Sequence, residues 1–304
     1  MTGELPLDPG QFLGIPIALV GALFLSAGAQ LQHRGVNRVD GASSASGGLG
    51  LGQLRMLVSR PSWVVGTLML GLAIVFQLAA LVPSTLAMVQ PLGALSLVVT
   101  AIVNSRVSGV ALNRLSIVAI CLCIGGIGLF VSVTAVTTRN TNVSDRALDG
   151  ILLILAVVVA LAAALFVTLR HRFTAIYYVV GAGLLYGFVA TLAKVVIART
   201  VQHNPSWLLV LCVVGILVAV TAGAYFVQNA YASGPPDLVI AGLTVIDPIV
   251  AVTIGLVILR EAAESPLWAV ALYVLSGLIA ICGVFLLARH HPQIHEPATP
   301  RRDP

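Results

Sequence analysis

The sequence predicts an all-α polytopic membrane protein of about nine transmembrane helices in two inverted repeats. Hydrophobic residues make up 59% and charged residues 9% of its 304 residues, with a mean hydropathy of +1.04. One water-soluble core could not hide so much apolar surface. Apolar runs of about 20 residues, the length that crosses a bilayer core, recur along the whole chain. Two of them carry a polar residue followed at once by proline, Gln90-Pro91 and Asp247-Pro248.

The first run lies near 11–32. Glu4 and Asp8 precede it where a signal peptide would carry lysine or arginine, and Gln30 and Gln32 stand where a small-residue cleavage site would be, so it is expected to be retained. The stretch 34–60 contains GASSASGGLGLG, a flexible linker by composition. Gln53 to Arg60 after it are expected to form a short interfacial helix. Further runs lie near 62–82, 84–105, 113–135, 149–169, 173–199, 206–231, 237–259 and 266–288. The loop 136–148 is polar and short, and the tail 290–304, rich in proline and charge, reads as disordered. These boundaries give a first repeat over 1–135 (helices 1–4), a linking helix 5 within 136–172, and a second repeat over 173–289 (helices 6–9).

Arginine sets the orientation, because positive residues stay on the cytoplasmic side. With the N-terminus outside, Arg34, Arg38, Arg55, Arg60, Arg106, Arg114, Arg170, Arg172, Arg289, Arg301 and Arg302 fall inside, and only Arg139, Arg146, Arg199 and Arg260 fall outside. The expected location is the cytoplasmic (inner) membrane, N-terminus out and C-terminus in. The net charge of +5 is spread as this topology signal, with no dense basic run and interleaved aromatics, so the expected partners are the lipid bilayer and a small solute or cation, not nucleic acid. A homodimer stays open.

Cys121, Cys123, Cys212 and Cys282 lie within predicted helices and read as packing, with Cys121 and Cys123 on different helix faces. The histidines, His33, His171, His203, His290, His291 and His295, sit at helix ends, in loops or in the tail. No HExxH, second mid-helix aspartate or mid-helix histidine is present to build an intramembrane enzyme. The chain reads as a non-enzyme without a cofactor, magnesium entering only as an ion to be carried.

The repeat is internal and partly gapless. Setting Pro83 on Pro236 brings Gly125-Gly126 of helix 4 within a residue of Gly277 in helix 9. Upstream, Ser62-Trp63 and Ser206-Trp207 open helices 2 and 7, and Gln77 and Gln228 lie near the ends of those helices, at a spacing that needs a gap. Elements five spans apart face opposite ways, which makes the repeat inverted. Transporters of that architecture hold substrate near the midplane, where interrupted helices meet.

In this frame Gln90-Pro91 and Asp247-Pro248 occupy corresponding helices, and Pro91 and Pro248 are expected to break them at the site. Proline removes a backbone donor and frees a carbonyl one turn earlier, and a bilayer tolerates such a carbonyl only beside protein or a water-filled cavity. A plain kink is the alternative reading of each pair. Asp247 is the leading candidate for the ion pathway and for a metal contact, since a charge at mid-helix costs about 3 kcal/mol to insert. Lys194, the only lysine, could pair with it or snorkel to the interface. Gln77, Gln90, Gln228, Asn229, Ser96, Thr100 and Asn104 extend the polar set, as cavity lining or as helix-to-helix glue. Gly183-x-x-x-Gly187 reads as close helix packing.

The run VPSTLAMVQPLGALSLVVTAIVNSRV resembles the third-helix signature of the NIPA-type magnesium transporters, a branch of the drug/metabolite transporter superfamily, with Pro91, Leu92, Gly93, Ala94, Leu95 and Ser96 matching its motif. QNAYASGPPDLVIAGLTVIDPIVAVTIGLVILRE is similar to EamA-like members of that superfamily, Pro236 and Glu261 among the matches. The resemblance extends over about 62–288. Asn104-Ser105-Arg106 stands where members often place an acidic residue, and Asp247-Pro248 lies outside the NIPA pattern.

The resemblance implies a nine- or ten-helix bundle that works by alternating access around a central cavity. Asp247 is then a proton carrier or cation ligand. Two cargoes stay open: magnesium, for which Asp247 with Gln90 and Gln228 would suffice, and an organic metabolite or drug, for which Tyr186, Tyr225 and Tyr231 offer aromatic walls. A non-transporting membrane scaffold is the remaining alternative.

Overall fold

A computed structural model describes residues 9–40, 59–108, 111–169, 174–203 and 206–289. The Gly/Ser-rich linker from 41, most of the expected interfacial helix and the expected disordered tail lie outside these residues.

Among the described residues every regular element is helical. A 3-10 turn, Pro9–Leu13, leads into α1 (Gly14–Asp40), followed by α2 (Pro61–Ala80), α3 (Leu86–Gly93), α4 (Leu95–Ser108), α5 (Arg114–Thr137), α6 (Asp145–Leu169), α7 (Ala175–Val201), α8 (Trp207–Ser233), α9 (Pro236–Val257) and α10 (Leu267–Arg289). Nine spans among the described residues are long and apolar enough to cross a membrane, α3 and α4 together making the third. That is the number and order the apolar runs predict.

The third span departs from expectation. Pro91 gives no N–H to the Ala87 carbonyl, and Gly93 two residues on adds a second weak helix former, so the helix ends there. The join is closed by tighter bonds, Ala94 N–H to the Pro91 carbonyl at 3.2 Å and Leu97 N–H to the Ala94 carbonyl at 3.2 Å. Pro248 has no glycine beside it, and α9 runs through it unbroken. The expectation that both prolines break their helices is therefore corrected for Pro248. Pro236 opens α9 where a missing N–H costs nothing, whereas Pro83 lies in the turn ahead of α3.

Small residues bring the helices together. α1 runs antiparallel to α2 on Gly28, Gly66 and Gly14, and α7 runs antiparallel to α8 on Gly181 and Gly223. α7 lies parallel to α9, where a Cβ on Gly183 or Gly187 would come within 2.6 Å of Ile246 or Val250, so the GxxxG run is a packing stripe as read. α5 and α10 cross closely, backbone to backbone: a Cβ on Gly126 would stand 2.5 Å from the Ala280 nitrogen, and one on Gly283 2.6 Å from that of Cys123. Gly125 and Gly277 face open space. Gly126 thus meets Ser276 and Ala280 of α10, and Gly283 meets Ala119 and Cys123 of α5. α6 packs lightly, on α7 and α8.

Candidate functional site

A cavity of about 610 Å³ lies between α1, α2, the α3–α4 join, α7 and α9. Its polar lining is Gln77 of α2, Gln90 and Ser96 on either side of the join, Tyr186 of α7, and Thr244 and Asp247 of α9. Each reaches the wall for a local reason. The break at Gly93 lets Gln90 and Ser96 face one space from two separate helices, and Gly93 leaves room for the Gln77 amide, whose nitrogen would stand 3.6 Å from a Cβ there. Gly183 and Gly187 bring the α7 backbone against Asp247: a Cβ on Gly183 would stand 3.5 Å from Asp247 N, and one on Gly187 3.1 Å from Asp247 O. The Tyr186 ring lies against Gly223 of α8. Pro248 has no N–H for the carbonyl of Thr244, itself a lining residue.

Asp247 is the one acid on this lining. Its Oδ1 is buried without a hydrogen-bond partner. A buried carboxylate oxygen with no partner is costly, a cost that a proton or a cation would remove. Among the described residues no three His, Cys, Asp or Glu gather to hold a metal, so a cation here would meet one carboxylate, neutral oxygens and water.

Other expected members lie elsewhere. Gln228 is exposed on α8, and Asn229 donates to the Tyr225 carbonyl at 2.8 Å. A polar residue near a helix end is free to turn outward, as Gln228 does, or to bond back to its own helix, as the half-buried Asn229 does. Thr100 shares a hydrogen bond of 2.8 Å with Ser26, a helix-to-helix tie. Neither it nor Asn104 is among the lining residues. Tyr225 stacks edge-on with Phe166, away from Asp247, and Tyr231 is exposed. Pro91 faces a separate small apolar cleft, which Pro248 also lines.

Lys194 neither pairs with Asp247 nor snorkels. It is 6% exposed, and its Nζ donates to the carbonyls of Leu81 at 2.7 Å and Ser84 at 2.7 Å and to Asn140 Oδ1 at 2.8 Å. Its three donors are all used. Beside it, Glu261, matched only as part of a motif from the sequence, accepts from Leu86 N–H at 2.8 Å and Ala87 N–H at 3.1 Å. It caps a buried helix N-terminus whose N–H groups need acceptors and whose dipole favours an anion. Burial raises the Glu261 carboxyl above its usual range, while the two N–H donors and the Lys194 charge pull the other way.

Residues 10–294 match the family described as magnesium transporter NIPA. The chain belongs to that NIPA family. Its members are transporters of the drug/metabolite type, so the chain is a multi-pass membrane protein of a transporter family. The NIPA chain is also 25% identical over 283 residues to an uncharacterised protein of Corynebacterium glutamicum, covering 92% of this chain and 96% of the relative. No solved structure matches it.

Proposed function

We propose that this NIPA-family chain is a secondary transporter that carries magnesium through the cavity at Asp247 by alternating access. The observation that carries the reading is the unpartnered Asp247 Oδ1 on a largely apolar cavity whose other polar lining groups are neutral. Magnesium keeps most of its waters and uses one or two carboxylates. A shell of six waters at about 30 Å³ each occupies roughly 180 Å³, well within this cavity.

Helix pairing supports two inverted repeats. The first span packs on the second and third as the sixth packs on the seventh and eighth, and the fourth meets the ninth. Exchanging each span of the first half with the one five later leaves these pairings unchanged. One half would rock against the other, exposing Asp247 to each side in turn. The arginine distribution supports the cytoplasmic membrane with the N-terminus outside.

The test is magnesium flux into liposomes holding the purified protein, with and without a proton gradient, for the native chain and Asp247→Asn. The native chain should carry magnesium and the variant at least tenfold less. Dependence on the gradient would assign Asp247 a proton as well. Absence of flux in the folded native protein would overturn the magnesium reading. An organic cargo is the second reading, favoured by Tyr186 on the wall and by a volume within the range of small-molecule sites.

A further inference from the structure

The turn between α2 and α3 is held by side chains at three of its carbonyls and at the two N–H groups that open α3. Lys194 takes the Leu81 and Ser84 carbonyls, and Asn140 donates to the Pro83 carbonyl at 2.6 Å. Ser84 Oγ donates to the Gln11 carbonyl, and Thr85 shares a hydrogen bond of 3.0 Å with Thr138. Glu261 takes the Leu86 and Ala87 N–H groups, and its own carbonyl accepts from Arg139 N–H at 3.0 Å. Leu81, Ser84, Thr85, Leu86, Ala87, Met88 and Val89 are each no more than 1% exposed. Both charged members come from the second half of the chain, and the segment they grip belongs to the first.

The cavity begins where this segment ends. Leu81 lines it, as does Ala193 next to Lys194, and α3 delivers Gln90 to its wall. A path between the cavity and this end of the bundle has to part the buried residues Leu81 and Ser84 to Val89.

We infer that Lys194 and Glu261 are positioning residues that latch the α2–α3 turn, seal one end of the Asp247 cavity, and must release that turn for cargo to pass. The inference rests on the transport reading above. A lysine with three neutral acceptors and a glutamate on two N–H groups suit the role, because neither is locked in a direct ion pair. Each can let go of its backbone partners without breaking a direct ion pair.

The reporter is Ala190→Cys, on the cavity wall, in a chain whose four native cysteines are replaced by alanine. Sealed vesicles holding this protein receive a membrane-impermeant maleimide on the side of residues 138–144. With the latch intact, labelling should be slow. Adding Glu261→Gln or Asn140→Ala should raise its rate at least tenfold. Asn140 is exposed, so its substitution keeps Lys194 and Glu261 in place while it removes one of the three acceptors of Lys194 Nζ and the donor to the Pro83 carbonyl. Unchanged labelling in both variants would overturn the latch.

A second arm places cysteines at Pro83 and Asn140 and joins them with a short reducible cross-linker. Magnesium flux should stop and return on reduction. Flux that persists under complete cross-linking would also overturn the proposal. A native protein without any flux sinks the transport reading, and the labelling rates still decide the latch.

Discussion

Asp247 combines two properties that oppose each other in a folded chain. A buried carboxyl oxygen without a partner destabilises, and the proposed transport function gives a reason to keep it. Asp247→Asn should leave the apparent Tm of the purified protein unchanged or a few degrees higher while magnesium flux falls, as read by thermal unfolding and flux on the same samples. The glycines beside it oppose substitution for a different reason. Gly187→Leu would force side-chain atoms into Val250 and should cost about 1–3 kcal/mol, seen as a lower Tm. Asp247, Gln77, Gln90 and Ser96 were legible in the sequence because each is a polar residue inside an apolar run. Lys194 and Glu261 were legible only as residues. Their partners are backbone groups of a distant turn, which no side-chain pattern encodes.

At the scale of the element, one proline interrupts a helix and the other does not. The difference follows from Gly93, two residues after Pro91, whereas Pro248 has ordinary helix formers around it. Pro91→Ala restores an N–H for the Ala87 carbonyl and favours a continuous third span. Hydrogen exchange over 91–97 should slow, and flux should fall several-fold as Gln90 and Ser96 lose their separate settings. The apolar runs alone could not show this break, because α3 and α4 form one uninterrupted hydrophobic stretch. Nor could they show which face Gln228 and Asn229 take.

Across the whole molecule, the two halves meet most closely where α5 crosses α10. Gly126→Leu would drive side-chain atoms into the Ala280 backbone and should abolish the monodisperse peak in size-exclusion chromatography, whereas Gly125→Leu and Gly277→Leu, facing open space, should retain it. The number and order of spans were legible from hydropathy. The register of this crossing was not, because α10 holds two glycines and the sequence does not say which one faces inward.

α6 gives this arrangement its sense. Only 11% of its spanning window is buried inside the protein, so most of its surface is left to lipid. What α6 supplies is parity. An odd number of crossings between the proposed repeats turns the second upside down relative to the first, and a variant whose α6 is replaced by a hydrophilic loop would insert its second half the same way up. Two like-facing halves would present one kind of gate to one side and nothing matching to the other. The least packed helix thus decides whether the bundle has two alternating faces at all.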